Sequence, residues 1–122
     1  FEERFLMNRE CVLQSKPLVD CAMYNMECQL MNVIPGMTPC IQCIFPEKPP
    51  HWKRKFPVFG AVASLVASTG AMEGIKIIAG MPGVLTNQIL YINTNTLSFH
   101  KIPIKKNSTC KICSQLSKKD FK

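Results

Sequence analysis

Apolar residues return every three or four positions at the start of the chain: Phe5, Leu6, Val12 and Leu13, with Arg9 among them. That spacing predicts a helix over Phe1 to Gln14. No capping residue precedes Phe1 and acidic side chains already fill the first turn, so it reads as a helix cut near its beginning. Ser15, Lys16 and Pro17 end it. The period then shortens. Pro17 to Tyr24 and Met26 to Ile34 predict two strands, closed by Pro35-Gly36. Phe45-Pro46-Glu47-Lys48-Pro49-Pro50 is a stiff, extended connection.

From Val58 to Ala79 the helical pattern returns, with no charge across the 16 residues from Pro57 to Met72. Gly60, Ala63, Ala67, Ala71 and Gly74 share one face, and Val62, Leu65, Val66 and Met72 cover others. A helix apolar nearly all round is expected to be buried on all sides, which in so short a chain predicts a subunit interface. A membrane span needs about 20 apolar residues, so this run is read as a core helix and no membrane partner is expected. Gly80-Met81-Pro82-Gly83 breaks it. Two more strands, Gln88 to Asn93 and Leu97 to Ile104, flank the polar turn Thr94-Asn95-Thr96. The lysine-rich end, Ser114 to Lys122, is expected to fray.

Composition narrows the class. With 122 residues the chain has room for one domain and one modest core, and 47% hydrophobic residues make it globular. The net charge of +7 gathers at Lys53-Arg54-Lys55 and from Lys101 onward. No aromatic residues interleave these cations in a nucleic-acid-binding motif, so a solvated surface with one functional basic loop is the better reading. Seven cysteines, an odd number with no secretory segment at the start, argue for a reducing, cytoplasmic setting over a disulfide scaffold.

Four of those cysteines form two Cys-x-x-Cys pairs, Cys40/Cys43 and Cys110/Cys113. A two-residue spacer lets both thiolates of a pair face one ion, and two pairs complete a tetrahedral sulfur shell, which suits zinc. Two disulfides, a redox pair and unrelated buried thiols are the competing readings. Four sulfurs leave no position for water or substrate, so the site would be structural. Cys11, Cys21 and Cys28 are expected to be free, in or near the core. His51 and His100 lack a Ser or Cys partner in any recognisable arrangement, so no catalytic residue is assigned.

The order of these parts resembles the C-terminal half of the ubiquitin-activating-enzyme-like family, the ThiF/MoeB type of adenylyltransferase. The resemblance is carried by Phe1-Glu2-Glu3-Arg4 with Asn8, and by Lys16-Pro17-Leu18-Val19. It continues through Pro39-Cys40 to Cys43 with Phe45-Pro46, then Gly60 through Ala71-Met72-Glu73-Gly74-Ile75-Lys76, the strand pair and the last Cys-x-x-Cys. It implies an α/β fold: the later part of a Rossmann-like domain with a mixed sheet, a buried interface helix and a four-cysteine zinc site. Residues 1–113 would be the C-terminal half of the adenylation domain and 114–122 a basic tail. The nucleotide-binding half is not in this chain, since no GxGxxG follows a strand.

The resemblance further implies ATP-dependent adenylation of a carboxylate, with ATP and magnesium held through that other half. The chain would act as part of a homodimer on a ubiquitin-like sulfur-carrier protein. A small-molecule carboxylate, as in guanylylpyridinol cofactor synthesis, is the alternative acceptor. A non-catalytic zinc-stapled scaffold or nucleic-acid-binding module is the reading from a different class. By the same pattern Arg4 and Asn8 would lie nearest the nucleotide. His51, Trp52, Lys53, Arg54 and Lys55 would form the crossover loop that meets the acceptor. Members that capture the acyl group covalently carry a cysteine in that loop, and Pro46 to Pro57 contains none.

Overall fold

A computed structural model describes residues 1–114, and the expected fraying beyond Ser114 lies outside the described residues. The elements run α1 (Glu2–Leu13), β1 (Leu18–Tyr24), β2 (Glu27–Val33), α2 (Ile41–Ile44), α3 (Gly60–Ala79), β3 (Gln88–Asn93) and β4 (Ser98–Pro103). These match the elements expected from the hydrophobic pattern, with α2 added. The chain resolves into two compact units.

The first unit comprises residues 1–18, 32–52 and the segment from 104 on. Outside α1 and α2 it is mostly turns and loops, whose backbone groups are satisfied locally. Pro35-Gly36 makes the turn after β2, with Gly36 at φ 79° and the Met37 N–H closing on the Ile34 carbonyl at 2.9 Å. Proline one place before a left-handed glycine is what this turn geometry requires. The buried Thr38 hydroxyl then accepts the Ile34 N–H at 2.8 Å. At one end Phe1 meets Phe5, Phe45 and Trp52 edge to face, with centroids 5.6, 5.6 and 6.0 Å away.

The second unit, residues 19–31 and 53–103, is a sheet with a helix on one face. Its strand order is β1-β2-β3-β4. The resemblance implies a mixed sheet, but these four strands pair antiparallel, with an isolated parallel bridge from Asn25 to Val58. Short hairpins join β1 to β2 and β3 to β4, and a short hairpin can join only antiparallel neighbours. The β3–β4 register ends on Asn93↔Ser98, which leaves Thr94 to Leu97 as the loop. Leu97 is therefore not the first strand residue expected: it turns the chain with φ 53° and is 75% exposed.

Period two puts Cys28 and Leu30 of β2 on one face, and their register partners Ile92 and Leu90 join them. Val62 and Val66, four apart on α3, pack onto that surface with Leu85. Burial of each such side chain contributes about 1.5–3 kcal/mol. Gly70 brings the helix close to β1. A Cβ there would lie 2.4 Å from the Cys21 sulfur and 3.3 Å from Val19. The helix closes at Gly80, in the left-handed region at φ 64°, while the Met81 N–H reaches back to the Lys76 carbonyl at 2.9 Å. Only glycine adopts that conformation without steric cost.

Within the single chain α3 is buried along one stripe. Val62, Val66, Gly70 and Glu73 are buried, while Ala67, Ala71, Met72 and Ile75 are exposed and Ile78 is 89% exposed. A single sheet face covers only the helix stripe turned toward it. Gly60 and Gly74, from the small-residue face, have open space around them. By length and composition α3 could cross a membrane. Its buried face, however, holds a carboxylate: Glu73 accepts the Leu85 N–H at 2.7 Å and pairs with Lys76. Those are the contacts of a helix packed on protein.

Candidate metal centre

The two Cys-x-x-Cys pairs lie in the first unit and converge. In the first, Cys40 stands at the N-terminus of α2 and the Cys43 N–H bonds back to the Cys40 carbonyl at 3.0 Å. That single turn places the Cys40 and Cys43 sulfurs 4.0 Å apart. In the second, the Asn107 side chain accepts the Thr109 N–H at 2.9 Å, and the Cys110 N–H bonds the Asn107 carbonyl at 3.1 Å. The Ser114 N–H then closes on Cys110. Across the pairs, Cys40 is 3.7 Å from Cys110 and Cys43 is 3.4 Å from Cys113.

All four sulfurs lie within 4.8 Å of one another, and Cys40, Cys110 and Cys113 are buried. A disulfide needs about 2.05 Å between sulfurs, so neither pair is bonded, and every cysteine is free. A zinc–sulfur bond of about 2.3 Å sets tetrahedron corners about 3.8 Å apart, and the observed separations bracket that edge. The cluster can hold a metal ion, and its four-sulfur set leaves no open ligand position.

The electrostatics prepare the same outcome. Cys40 is drawn down to about 5, first by its hydrogen bond with Cys113 and further by contacts from Asn8 and Cys43. Its partner Cys113 is pushed up by that shared hydrogen bond and by burial. Burial also raises Cys43. A cation bound here would take the place of the protons that these sulfurs share.

Asn8, expected near the nucleotide, lies fully buried. Its Oδ1 accepts the Ile41 N–H at 2.9 Å, and its Nδ2 donates to Gln42 at 3.5 Å. The Arg4 guanidinium, four residues earlier on α1, stands 4.8 Å over the Phe1 ring and 5.9 Å from Phe45. In the crossover segment Trp52 is half-buried, with the Lys48 ammonium 4.8 Å over its ring. His51, Lys53, Arg54 and Lys55 are exposed. His100 is exposed on β4, opposite Tyr91.

Of the remaining thiols Cys28 is buried and Cys11 half-buried. Cys21 belongs to an exposed residue, but its sulfur turns onto α3, 3.5 Å from the Val66 carbonyl. Burial raises both Cys21 and Cys28, which keeps them protonated and poor nucleophiles. Sequence reasoning missed Asn8 as a cap for the cysteine turn and Glu73 as a buried anchor. The only available signal was a polar residue set inside a helical stripe.

Residues 1–112 match the ThiF family, and the chain belongs to that family. Protein HesA of Nostoc sp. (strain PCC 7120 / SAG 25.82 / UTEX 2576) is 44% identical over 113 residues, covering 93% of this chain and 45% of that protein. The adenylyltransferase and sulfurtransferase MOCS3 of Drosophila persimilis is 34% identical over 116 residues, covering 91% of this chain and 26% of that protein. Among solved structures, E. coli MccB with ATP superposes with a TM-score of 0.78 at 20% identity, covering 94% of this chain and 37% of that one. That last likeness is one of fold. The chain spans less than half the length of these relatives.

Proposed function

We propose that this chain is the zinc-bearing, dimer-forming and acceptor-binding half of an ATP-dependent carboxylate adenylyltransferase of the kind that activates a ubiquitin-like sulfur carrier. The observation that carries the reading is the joint one: a family match over residues 1–112 together with four sulfurs arranged for one tetrahedral ion. The adenylyltransferase and sulfurtransferase name of a relative 34% identical supports the sulfur-carrier branch.

In the reaction the acceptor carboxylate attacks the α-phosphorus of ATP, an acyl adenylate forms and pyrophosphate leaves, with magnesium offsetting the phosphate charge. This chain's part is positioning. The four cysteines hold zinc and staple residues 40–43 to 110–113. Arg4 faces the nucleotide from α1. Lys53, Arg54 and Lys55, with His51 and Trp52, bind an anionic acceptor tail, for which clustered cations are suited. The loop has no thiol, so the adenylate is handed on without covalent capture there. The uncovered face of α3, with Ala67, Ala71 and Ile75, packs on a second copy as a two-fold contact. Seven free thiols suit a reducing cytoplasm.

Exchange of labelled pyrophosphate into ATP tests the reading. The longer protein that carries this chain should exchange label in the presence of its acceptor, and residues 1–122 alone should not. Lys53→Ala/Arg54→Ala should raise the acceptor KM about tenfold or more, with zinc content unchanged. Exchange by the isolated chain, or an acyl adduct found on Cys11, Cys21 or Cys28, overturns it.

A further inference from the structure

A short helix that begins on a metal-ligating cysteine has a capping problem. The residue before the first turn ordinarily lends a side-chain oxygen to the free N–H groups, but Cys40 must keep its sulfur for the cluster. Indeed Cys40 makes no side-chain cap bond to α2. The missing acceptor arrives from 33 residues away in sequence: the Asn8 Oδ1 takes the Ile41 N–H at 2.9 Å. The other end of the same amide reaches Gln42, at 3.5 Å.

Nothing else explains a wholly buried asparagine in α1. The fully buried residues of that helix are Asn8 and Val12. A leucine there would add apolar burial, whereas asparagine has poor helix propensity and costs desolvation unless its amide is bonded. Here both ends of the amide are used, and all their partners lie between Cys40 and Gln42.

We infer that Asn8 is the positioning residue of the metal centre: its buried amide caps the turn that carries Cys40 and couples metal occupancy to α1, the helix that bears Arg4 four residues earlier. The inference rests on the zinc reading above. With zinc bound, the Cys40–Cys43 turn is fixed and Asn8 holds α1 to it. With zinc gone, the turn loosens and the amide loses its partners, so α1 loosens as well. Groups that orient a ligating side chain in this manner are worth about 10- to 100-fold in metal affinity.

The test uses the whole chain loaded with zinc, comparing wild type with Asn8→Asp and Asn8→Leu. Aspartate keeps an oxygen for the Ile41 N–H but loses the N–H donor and adds a negative charge beside four thiolates. Leucine loses both functions. Chelator competition should show zinc held about 10- to 100-fold more weakly by both variants. Amide exchange supplies a readout that plain packing would not move. In wild type, stripping zinc should speed exchange across α1 as well as residues 40–44. In the variants, exchange across α1 should no longer respond to zinc.

If the leucine variant does not fold, the aspartate variant carries the test alone. Wild type that binds zinc, with the folded variants holding it within about twofold of wild type, overturns the inference. Wild type that binds no zinc removes the metal reading itself, and the inference falls with it.

Discussion

The two compact units are held together by different means. The sheet-and-helix unit is built on apolar area: Leu30, Ile92, Val62 and Val66 share one interior, and strand register and helix period bring them there without a specific partner for each. In the cysteine unit polar and ligating side chains share the interior with apolar ones: Asn8, Asn32, Thr38, Cys40, Cys110 and Cys113 lie buried beside Val12, Val33, Ile34 and Ile41. Apolar burial is non-directional and spreads over many contacts, so it tolerates loss of any one. Ligation and capping are directional and concentrated, so a single atom matters far more. The sheet-and-helix unit should soften by degrees under substitution, and the cysteine unit should fail in one step.

The largest effect should come from breaking the sulfur set. Cys40→Ser or Cys113→Ser should abolish zinc retention and remove a metal-binding contribution on the order of 10 kcal/mol. Elemental analysis should give one zinc per wild-type chain and none for either variant. Amide exchange should then show protection lost in residues 34–52 while it persists in β2, β3 and α3. Uniform loss across both units would erase the contrast.

A middle-sized effect should come from the close helix–strand approach. Gly70→Ala places a methyl 2.4 Å from the Cys21 sulfur, and overpacking of this kind costs about 1–3 kcal/mol. Denaturant unfolding should report that loss. Cys21→Ala in the same chain should recover most of it, because the clashing atom is then gone. Zinc content should stay unchanged throughout. A Gly70→Ala protein as stable as wild type would mean that α3 slides easily on β1.

The smallest effect should come from the surface pair Glu2–Lys48. The hydrogen bond from Lys48, at 2.8 Å, lowers the Glu2 carboxyl from 4.5 to about 2. A depressed carboxyl stabilises the fold above its ordinary value, and that contribution is lost as the pH falls from 4.5 through about 2. Glu2→Gln should therefore differ slightly from wild type at neutral pH and match it near pH 2. Salt near 1 M should erase even the neutral-pH difference, because the pair is exposed. Side-chain NMR titration of Glu2 checks the direction.

Much of this was legible in the residues. Periods of three to four and of two placed α1, α3 and the four strands within a residue or two. The repeated Cys-x-x-Cys spacing picked out the metal cluster before any geometry was known. The order of motifs pointed to the family. These features are local, or are patterns whose chemistry needs only residue type and spacing. They survive in a one-dimensional record because helix and strand period, turn residues and ligand spacing act over a few positions.

Other features depended on which neighbours the fold supplies. Polarity along the chain suggested that α3 would be buried all round, but a helix buries only as much of itself as other elements cover, and this chain offers it one sheet face. A mixed sheet was implied, and hydrogen bonding between strands decided for antiparallel pairs. The hydrogen-bond partners of Asn8 were not legible in the spacing. Only the three-dimensional arrangement, by bringing α1 against a turn more than thirty residues away, showed its amide capping the cysteine knuckle. Sequence determines what a side chain can offer, a carbonyl oxygen or a thiolate. The tertiary structure decides which orphaned group receives it, because satisfaction of a buried polar atom is a matter of angle and distance that no spacing along the chain encodes.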